Sequence, residues 1–111
     1  MSGCHTVFIP RFEESRHLLV MRISGSLEHG NANSFLRDAR AAIREYSQAR
    51  LEVVVLDVGG VTYIDSSGIG AFVELYKDLS ERSVEMRLEN IRPGVKKVMG
   101  LLGLEKFLGV E

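Results

Sequence analysis

The residues whose types best suit chemistry are the polar group Asp65-Ser66-Ser67-Gly68, called here the serine corner. A serine hydroxyl can act as a nucleophile when a base takes its proton, or it can accept a phosphoryl group from a kinase. Asp65 and Ser66 are also residue types that commonly cap a helix N-terminus. The corner therefore has three interpretations: a catalytic site, a phosphorylation site or a helix cap.

The catalytic interpretation lacks its partner residues. Neither serine lies in Gly-x-Ser-x-Gly, the elbow that exposes the nucleophile of α/β-hydrolases, because Ile64 and Asp65 stand two residues before them. His5, His17 and His29 all precede the serines, whereas the histidine comes last in that elbow order. No zinc spacing, dinucleotide-binding fingerprint or Gly-Lys-Ser/Thr phosphate loop is present. We expect a protein that is not an enzyme and that has no metal site and no cofactor.

A helix N-terminus suits an anionic modification. The first N–H groups of a helix lack partners within it, and the peptide dipoles favour negative charge there. Gly68 and Gly70 have no side chain, so they let a kinase residue or a phosphate oxygen approach closely. A phosphate of about −1.5 to −2 charge near Asp65 and Glu28 would have to be desolvated in an interface, which lowers affinity. From the residues alone the helix cap is the simpler interpretation, because serines cap helices far more often than they act as switches.

The composition is that of one small globular domain. With 111 residues, 45% hydrophobic and 26% charged, the chain suffices for one core but not for two. We expect a single domain over residues 1–111, with a flexible segment over residues 1–6. The net charge of −1 argues against nucleic acid or anionic lipid as a partner. A single cysteine, no apolar run of membrane-spanning length and no signal-peptide pattern predict a cytoplasmic protein without membrane insertion.

The elements that must carry the corner alternate between strands and helices. Two extended runs, residues 7–13 and 18–24, are joined by a polar stretch of hairpin length, and Pro10 predicts that the first lies at an edge. A first helix, capped by Asn31 or Asn33, has an apolar stripe at Phe35, Leu36, Ala39, Ile43 and Tyr46. After the corner come a strand at residues 84–88, a helix whose first turn holds Pro93, and a last short strand at residues 106–110. This order predicts an α/β domain with a small mixed sheet of four or five strands and about three helices.

The strand before the corner is expected to be central. Residues 53–56 form an unbroken apolar run, which predicts a strand covered by helices on both faces. Gly59-Gly60 then predicts a turn, and residues 61–64 a second short extended piece. Apolar residues recur at helical spacing after the corner, at Ile69, Phe72, Val73, Tyr76 and Leu79. The two serines are thus expected at a helix N-terminus.

Residues 61–70, VTYIDSSGIG, resemble the signature of STAS domains, and specifically of bacterial anti-sigma factor antagonists, in which Asp-Ser-Ser-Gly precedes an aliphatic residue and glycine. Residues 23–28, ISGSLE, resemble the end of that family's second strand, where a glycine is followed by one residue, leucine and an acidic position. Residues 91–95 and 101–104 resemble its third-helix region. The resemblance runs from about residue 7 to residue 108 and implies a single STAS domain.

The resemblance implies a binding switch controlled by phosphorylation. By position, Ser66 would be the phosphoacceptor and Ser67 would cap or orient the turn. The unphosphorylated protein would bind an anti-sigma factor, itself a serine kinase of the histidine-kinase-like ATPase fold that supplies the ATP, and so free a sigma factor. Phosphorylation of Ser66 would block binding, and a PP2C-type phosphatase would reverse it. The implied partner-binding residues are Gly25, Glu28, Asp65, Ser67, Gly68, Ile69 and Gly70, the first two in a loop beside the corner.

Two departures and three alternatives accompany this interpretation. Glu28 stands where the family more commonly has aspartate, and the chain ends at Glu111, where many relatives continue into a final helix. One alternative is a STAS-like subunit of an ABC-type lipid transporter, which is not phosphorylated; the full Asp-Ser-Ser-Gly corner argues against it. The others are a regulator of secretion or biofilm formation with a target other than a sigma factor, and a scaffold domain of a larger signalling assembly, which the short chain disfavours.

Overall fold

A computed structural model describes residues 6–13 and 16–101, with side chains from residue 11 onward. The strands and helices follow the predicted order: β1 (Thr6–Glu13), β2 (Leu18–Leu27), α1 (Ala32–Tyr46), β3 (Val53–Ile64), α2 (Ser66–Glu81), β4 (Glu85–Glu89) and α3 (Pro93–Leu101). A short 3-10 helix, Ser47–Ala49, extends α1. The last strand expected at residues 106–110 lies outside the described residues.

The four strands form one mixed sheet in the order β1-β2-β3-β4. β1 pairs antiparallel with β2, whereas β2 with β3 and β3 with β4 pair in parallel. β1 is an edge strand, as Pro10 predicts, because proline cannot donate to a second neighbouring strand. α1 and α2 form the crossovers that parallel pairing requires. The predicted α/β class, with a mixed sheet and three helices, is confirmed.

The helices pack on one face of the sheet. Strand residues of that face are buried in one core with residues of all three helices. The strand residues in this core are Leu19, Met21, Ile23, Val54, Leu56, Val58, Met86 and Leu88. The other face carries charged side chains, among them Arg22 and Asp57, 3.6 Å apart. A depression on this face is lined by strand residues and by Arg16 of the hairpin, and all three described helices contribute to the core on the first face. The prediction of helices on both faces is therefore wrong for the described part of the chain. Val55 on the polar face is still only 4% exposed, and its paired neighbours across the two strand pairs are Val20 and Arg87.

β3 runs without a break through Gly59 and Gly60, so the turn predicted there is wrong. The pairing of β3 with β2 shifts register twice, near Ser24 and Gly25. A Cβ atom on Gly60 would lie 2.6 Å from Cβ of Ser24, closer than two such atoms can approach. Glycine therefore serves a close contact between two strands at an irregularity of the ladder. β3 consequently reaches the serine corner as one continuous element.

α1 and α2 lie side by side above the sheet. The predicted stripe of α1 is confirmed, with Phe35 buried and in edge-to-face contact with Phe72 of α2 at a centroid distance of 5.8 Å. In the middle of α1, Nε of Arg40 donates a hydrogen bond of 2.6 Å to Asp78 of α2. These two contacts fix the position of α2, and with it the corner, relative to α1.

Candidate functional site

The serine corner joins the end of β3 to the start of α2. β3 ends at Ile64 and α2 begins at Ser66, so that Asp65 is the N-cap residue, with φ −115° and ψ −173°. Oδ1 of Asp65 accepts a hydrogen bond of 3.0 Å from the N–H of Gly68, which is the usual capping geometry. The capping role considered for Ser67 thus belongs to Asp65, and both serines lie in the first turn of the helix, as expected.

Asp65 also ties the corner to the loop that follows β2. Its Oδ2 accepts a hydrogen bond of 3.1 Å from the N–H of His29. Its own N–H donates to the carbonyl oxygen of Leu27 at 3.2 Å. One residue therefore holds together the end of β2, the loop after it and the start of α2.

The loop between β2 and α1 is braced from inside by Asn31. Its Oδ1 accepts from the N–H of Glu28 at 2.8 Å, and its Nδ2 donates to the carbonyl oxygen of Ser26 at 2.7 Å. Asn31 is only 9% exposed, and it occupies the N-cap position of α1 without a side-chain capping bond. The Ser26 hydroxyl donates to the Glu28 carboxylate at 2.8 Å. The sequence identified Asn31 as a cap candidate, but its bracing of the loop depends on contacts that only the fold creates.

The carboxylate of Asp65 is held in its charged form. Partial burial by itself would raise the pKa of Asp65, but the backbone N–H groups of Gly68, His29 and Ser67 donate to it and bring the pKa below its ordinary value. Two of these N–H groups belong to the first turn of α2. A phosphate on Ser66 would therefore have to compete with Asp65 for them, so the helix N-terminus is less open to an added anion than the sequence suggests.

Among the residues predicted to carry function, the structure exposes some and buries others. Ser66 is exposed at the first helical position, Ser67 is half-buried and Gly70 is exposed. Gly68 is buried, and a Cβ atom there would lie 2.5 Å from the carbonyl oxygen of Leu27. Ile69 is 3% exposed. Gly68 and Ile69 are therefore buried beneath the corner, where Gly68 allows α2 to pack closely against the end of β2. Ser66 and Gly70 are exposed to solvent.

The two residues expected in the loop beside the corner are placed differently from one another. Glu28 does lie in that loop, half-buried, immediately after β2. Gly25 lies within β2 and pairs with Val61 of β3, so its expected loop position is wrong. Its φ of 98° is one that favours glycine. Gly25 thus shapes the strand end that carries Glu28.

Tyr63 is a surface residue near the corner that the sequence did not identify. It lies three residues before Ser66 and is 54% exposed, a high value for a large aromatic side chain in a strand. Its partner across the strand pair is Ser26, whose hydroxyl bonds Glu28. An aromatic residue within an apolar run predicts burial, so the sequence holds no signal for this exposure.

Other kinds of site find no support in the described part of the chain. Over residues 11–13 and 16–101, no three His, Cys, Asp or Glu side chains are grouped so that they could share a metal ion. Within the same ranges, no helix combines the length and the apolar character needed to cross a bilayer.

Comparison with known sequences relates the chain to one domain family. It matches the family model described as the STAS domain over residues 10–111. It is 28% identical over 98 residues to an anti-sigma F factor antagonist of Paenibacillus polymyxa, a match that covers 88% of this chain and 81% of that protein. It is 30% identical over 109 residues to the high affinity sulfate transporter 2 of Stylosanthes hamata, covering 92% of this chain but 16% of the transporter. The chain thus spans nearly the length of the first relative and a small part of the second.

Solved structures share the fold. The crystal structure of an anti-sigma factor antagonist from Mycobacterium paratuberculosis aligns with a TM-score of 0.80 and 15% identity, covering 98% of this chain and 87% of that one. The Bacillus cell fate determinant SpoIIAA, in its phosphorylated form, aligns with a TM-score of 0.67 and 22% identity, covering 95% and 91% of the two chains. At these identities the likeness establishes the arrangement of strands and helices.

Proposed function

The chain belongs to the STAS domain family, and on that premise we propose that it is an anti-sigma factor antagonist that acts as a phosphorylation-controlled binding switch. Its unphosphorylated form binds an anti-sigma factor, itself a serine kinase of the histidine-kinase-like ATPase fold, and thereby frees a sigma factor. Phosphorylation of Ser66 by that kinase weakens the binding, and a PP2C-type phosphatase restores it. The chain itself performs no catalysis in this cycle.

The observation that carries the proposal is an exposed serine whose backbone is held in place by the hydrogen bonds of the preceding residue. Ser66 follows Asp65 directly, and the Asp65 carboxylate is bonded both to α2 and to the loop after β2. A kinase has to align the acceptor hydroxyl with the γ-phosphate of ATP. Because the backbone around Ser66 is already fixed, little ordering is needed to reach that alignment. Relatives described as an anti-sigma F factor antagonist and as a phosphorylated protein support the same role.

The surroundings of Ser66 explain why a phosphate would weaken docking. The nearest helix N–H groups are already bonded to the Asp65 carboxylate. A phosphate of about −1.5 to −2 charge would thus enter the interface beside an existing negative charge, facing the phosphates of the kinase's own nucleotide. Leaving such a charge without a matched cation costs several kcal/mol, and each ~1.4 kcal/mol is about tenfold in affinity. One modification can therefore change the affinity by orders of magnitude.

The proposed contact surface contains four of the seven partner-binding residues that the resemblance implies. It comprises Ser66 with Glu28, Asp65, Ser67 and Gly70, which lie at or near the outer side of the corner. The remaining pattern residues support it from within the fold: Gly25, Gly68 and Ile69.

Phosphorylation in vitro tests the proposal. We would incubate the chain with ATP and each histidine-kinase-like anti-sigma factor purified from the source organism, and map phosphate by peptide mass spectrometry. We expect one phosphate, on Ser66, and we expect Ser66→Ala to resist modification and keep its binding when ATP is present. Ser80→Ala, at an exposed position near the other end of α2, is the matched control and should be modified normally. Phosphate on Ser67 alone, or no binding and no phosphate with any of these kinases, would contradict the proposal.

The match to a sulfate transporter supports a second candidate function, that of a STAS module acting on a membrane anion transporter. In that role Ser66 is not an acceptor, so Ser66→Asp should leave binding unchanged. Affinity purification of the tagged chain from detergent-solubilised membranes separates the two. Recovery of a transporter that binds wild type and Ser66→Asp equally would favour the second function over the first.

A further inference from the structure

A groove between α1 and α2 begins at the serine corner and has a volume of about 370 Å³. α1 lines it with Ala32 and Leu36, and α2 lines it with Ser67, Gly70 and Glu74. Its middle is therefore alkyl groups and bare helix backbone, and its ends are polar. The groove is not an enclosed cavity, which suits a segment of another protein better than a small molecule, whose sites usually enclose it.

Gly70, which lines this groove, lowers the stability of α2, and no contact among the described residues requires a glycine there. Glycine in a helix interior is less favourable than alanine, because it loses more backbone freedom on folding. Apart from the adjoining turns of α2 itself, a Cβ atom at Gly70 would meet no described atom within 4 Å, whereas one at Gly68 would clash with Leu27. Nothing in the described part of the chain thus requires glycine at position 70. A requirement from outside remains, namely the close approach of another molecule to this turn of the helix.

Glu74 gives the far end of the groove a negative charge that is only loosely compensated. Its Oε1 lies 3.5 Å from Nη2 of Arg40, while Nε of the same arginine is bonded to Asp78 at 2.6 Å. The Glu74 side chain is 55% exposed. The described residues that line the groove include no lysine or arginine, and their other ionisable side chain, His29, belongs to the loop at the corner end. A cationic side chain from a partner would complement this end of the groove.

We propose that the groove receives a segment of the anti-sigma factor kinase that places an aliphatic side chain over Gly70 and a lysine or arginine against Glu74. This inference rests on the proposed function. Gly70 lies four residues after Ser66, one helical turn away on the same side of α2, so a kinase that reaches the Ser66 hydroxyl also meets the groove. The surface used for modification is thus continuous with the surface used for docking.

The charges of this arrangement are compatible with the switch. Ser66 and Glu74 are eight residues apart in α2, or roughly 12 Å along the helix axis at ~1.5 Å per residue. The screening length at physiological salt is about 8 Å, so a phosphate on Ser66 gains little attraction from a cation bound at Glu74. The cation can therefore strengthen docking without cancelling the effect of the phosphate.

Two matched pairs of variants test the groove, with the kinase that phosphorylates Ser66 as the probe and calorimetry as the readout. Gly70→Ala should raise the midpoint of thermal unfolding and yet weaken binding about tenfold, because the added methyl group occupies the close-contact surface. Gly94→Ala is the control: Gly94 is in α3, and a Cβ atom there also meets nothing within 4 Å. It should leave binding unchanged. A purely structural role of Gly70 cannot raise stability and lower affinity together.

The second pair addresses the charge. Glu74→Lys should weaken binding about tenfold at low salt, with the difference shrinking at high salt. Glu81→Lys makes the same charge change at an exposed position further along α2 and should alter affinity less than about twofold.

The outcomes separate this inference from the proposed function. If wild type is phosphorylated on Ser66 while Gly70→Ala and Glu74→Lys bind as tightly as wild type, the groove proposal is wrong and the switch stands. If the histidine-kinase-like anti-sigma factors neither bind nor phosphorylate wild type, both proposals are wrong. Loss of affinity in Gly70→Ala and Glu74→Lys, with both controls unchanged, supports the groove.

Discussion

At the start of α2, the side that faces the core and the side that faces solvent carry similar residue types with different roles. On the inner side, Gly68 has no room for a Cβ atom beside Leu27, and Ile69 is buried in the core. On the outer side, Ser66 is exposed and Gly70 has open space around it. The Asp-Ser-Ser-Gly-Ile-Gly pattern therefore combines residues that hold the corner in place with residues that remain available to a partner.

The largest expected effect is that of Gly68→Ala. A Cβ atom at this position would lie 2.5 Å from the carbonyl oxygen of Leu27 and 2.8 Å from Cγ1 of Ile64, so α2 must move away from β2. Overpacking of this kind costs about 1–3 kcal/mol or more, out of a typical stability of about 5–15 kcal/mol. Urea unfolding of Gly68→Ala beside Gly70→Ala measures the difference between the two sides. Equal free energies of unfolding for the two variants would show that the inner side is no more constrained than the outer one.

Asp65 connects the two sides, and its replacement should have the next largest effect. Asp65→Ala removes the bond to the N–H of Gly68 and the bond to the N–H of His29. Loss of a helix cap costs about 0.5–2 kcal/mol, and Asp65→Asn should cost less because the amide keeps one acceptor. Hydrogen exchange of the two amides, measured with urea unfolding, reports on the loop and the helix separately. Full protection of the His29 amide in Asp65→Ala would mean that Asp65 does not tie the loop to the corner.

The features that the sequence predicted well depend on local patterns. Hydrophobic periodicity and residue propensities can be recognised within one segment, so the helices and the edge strand with Pro10 followed from the sequence. The same holds for the position of Ser66 at the start of α2. The sequence offered several cap candidates at the corner, of which the structure selects Asp65.

The features that the sequence did not predict depend on contacts between distant segments. Gly59 and Gly60 have the composition of a turn, but Ser24 of the neighbouring strand makes them part of a close strand pair. Gly68 and Gly70 are the same residue type two positions apart, and their roles differ because only Gly68 lies against Leu27. The exposure of Tyr63 and the bracing by Asn31 likewise depend on where β2 ends.

The smallest expected effect is a loss of stability in acid to which Asp65 and Asp57 both contribute. Burial alone would raise the pKa of Asp57, but hydrogen bonds from the Asn90 side chain and the Gly59 N–H, with the nearby charge of Arg22, bring it below its ordinary value. The pKa of Asp65 is also lowered, by backbone N–H groups. A group whose pKa is lower in the folded state adds stability that is complete above its unfolded pKa, about 4, and is lost as pH falls through the folded value. Urea midpoints between pH 6 and pH 3 should therefore fall less in Asp65→Asn and in Asp57→Asn than in wild type.

Phosphorylation should change the pKa of only one of these two carboxylates, because only Asp65 adjoins Ser66. A phosphate on Ser66 opposes the ionised form of its neighbour Asp65 and so raises its pKa, while Asp57 lies on the opposite face of the sheet. The acid loss that depends on Asp65 should then begin at a higher pH in the phosphorylated protein, and the loss that depends on Asp57 should not move. Urea midpoints of the phosphorylated and unmodified protein, each with and without Asp65→Asn, measure this. If phosphorylation shifts the pH profile equally in both backgrounds, the phosphate does not act on Asp65, and the outer side of the corner is electrostatically independent of its cap.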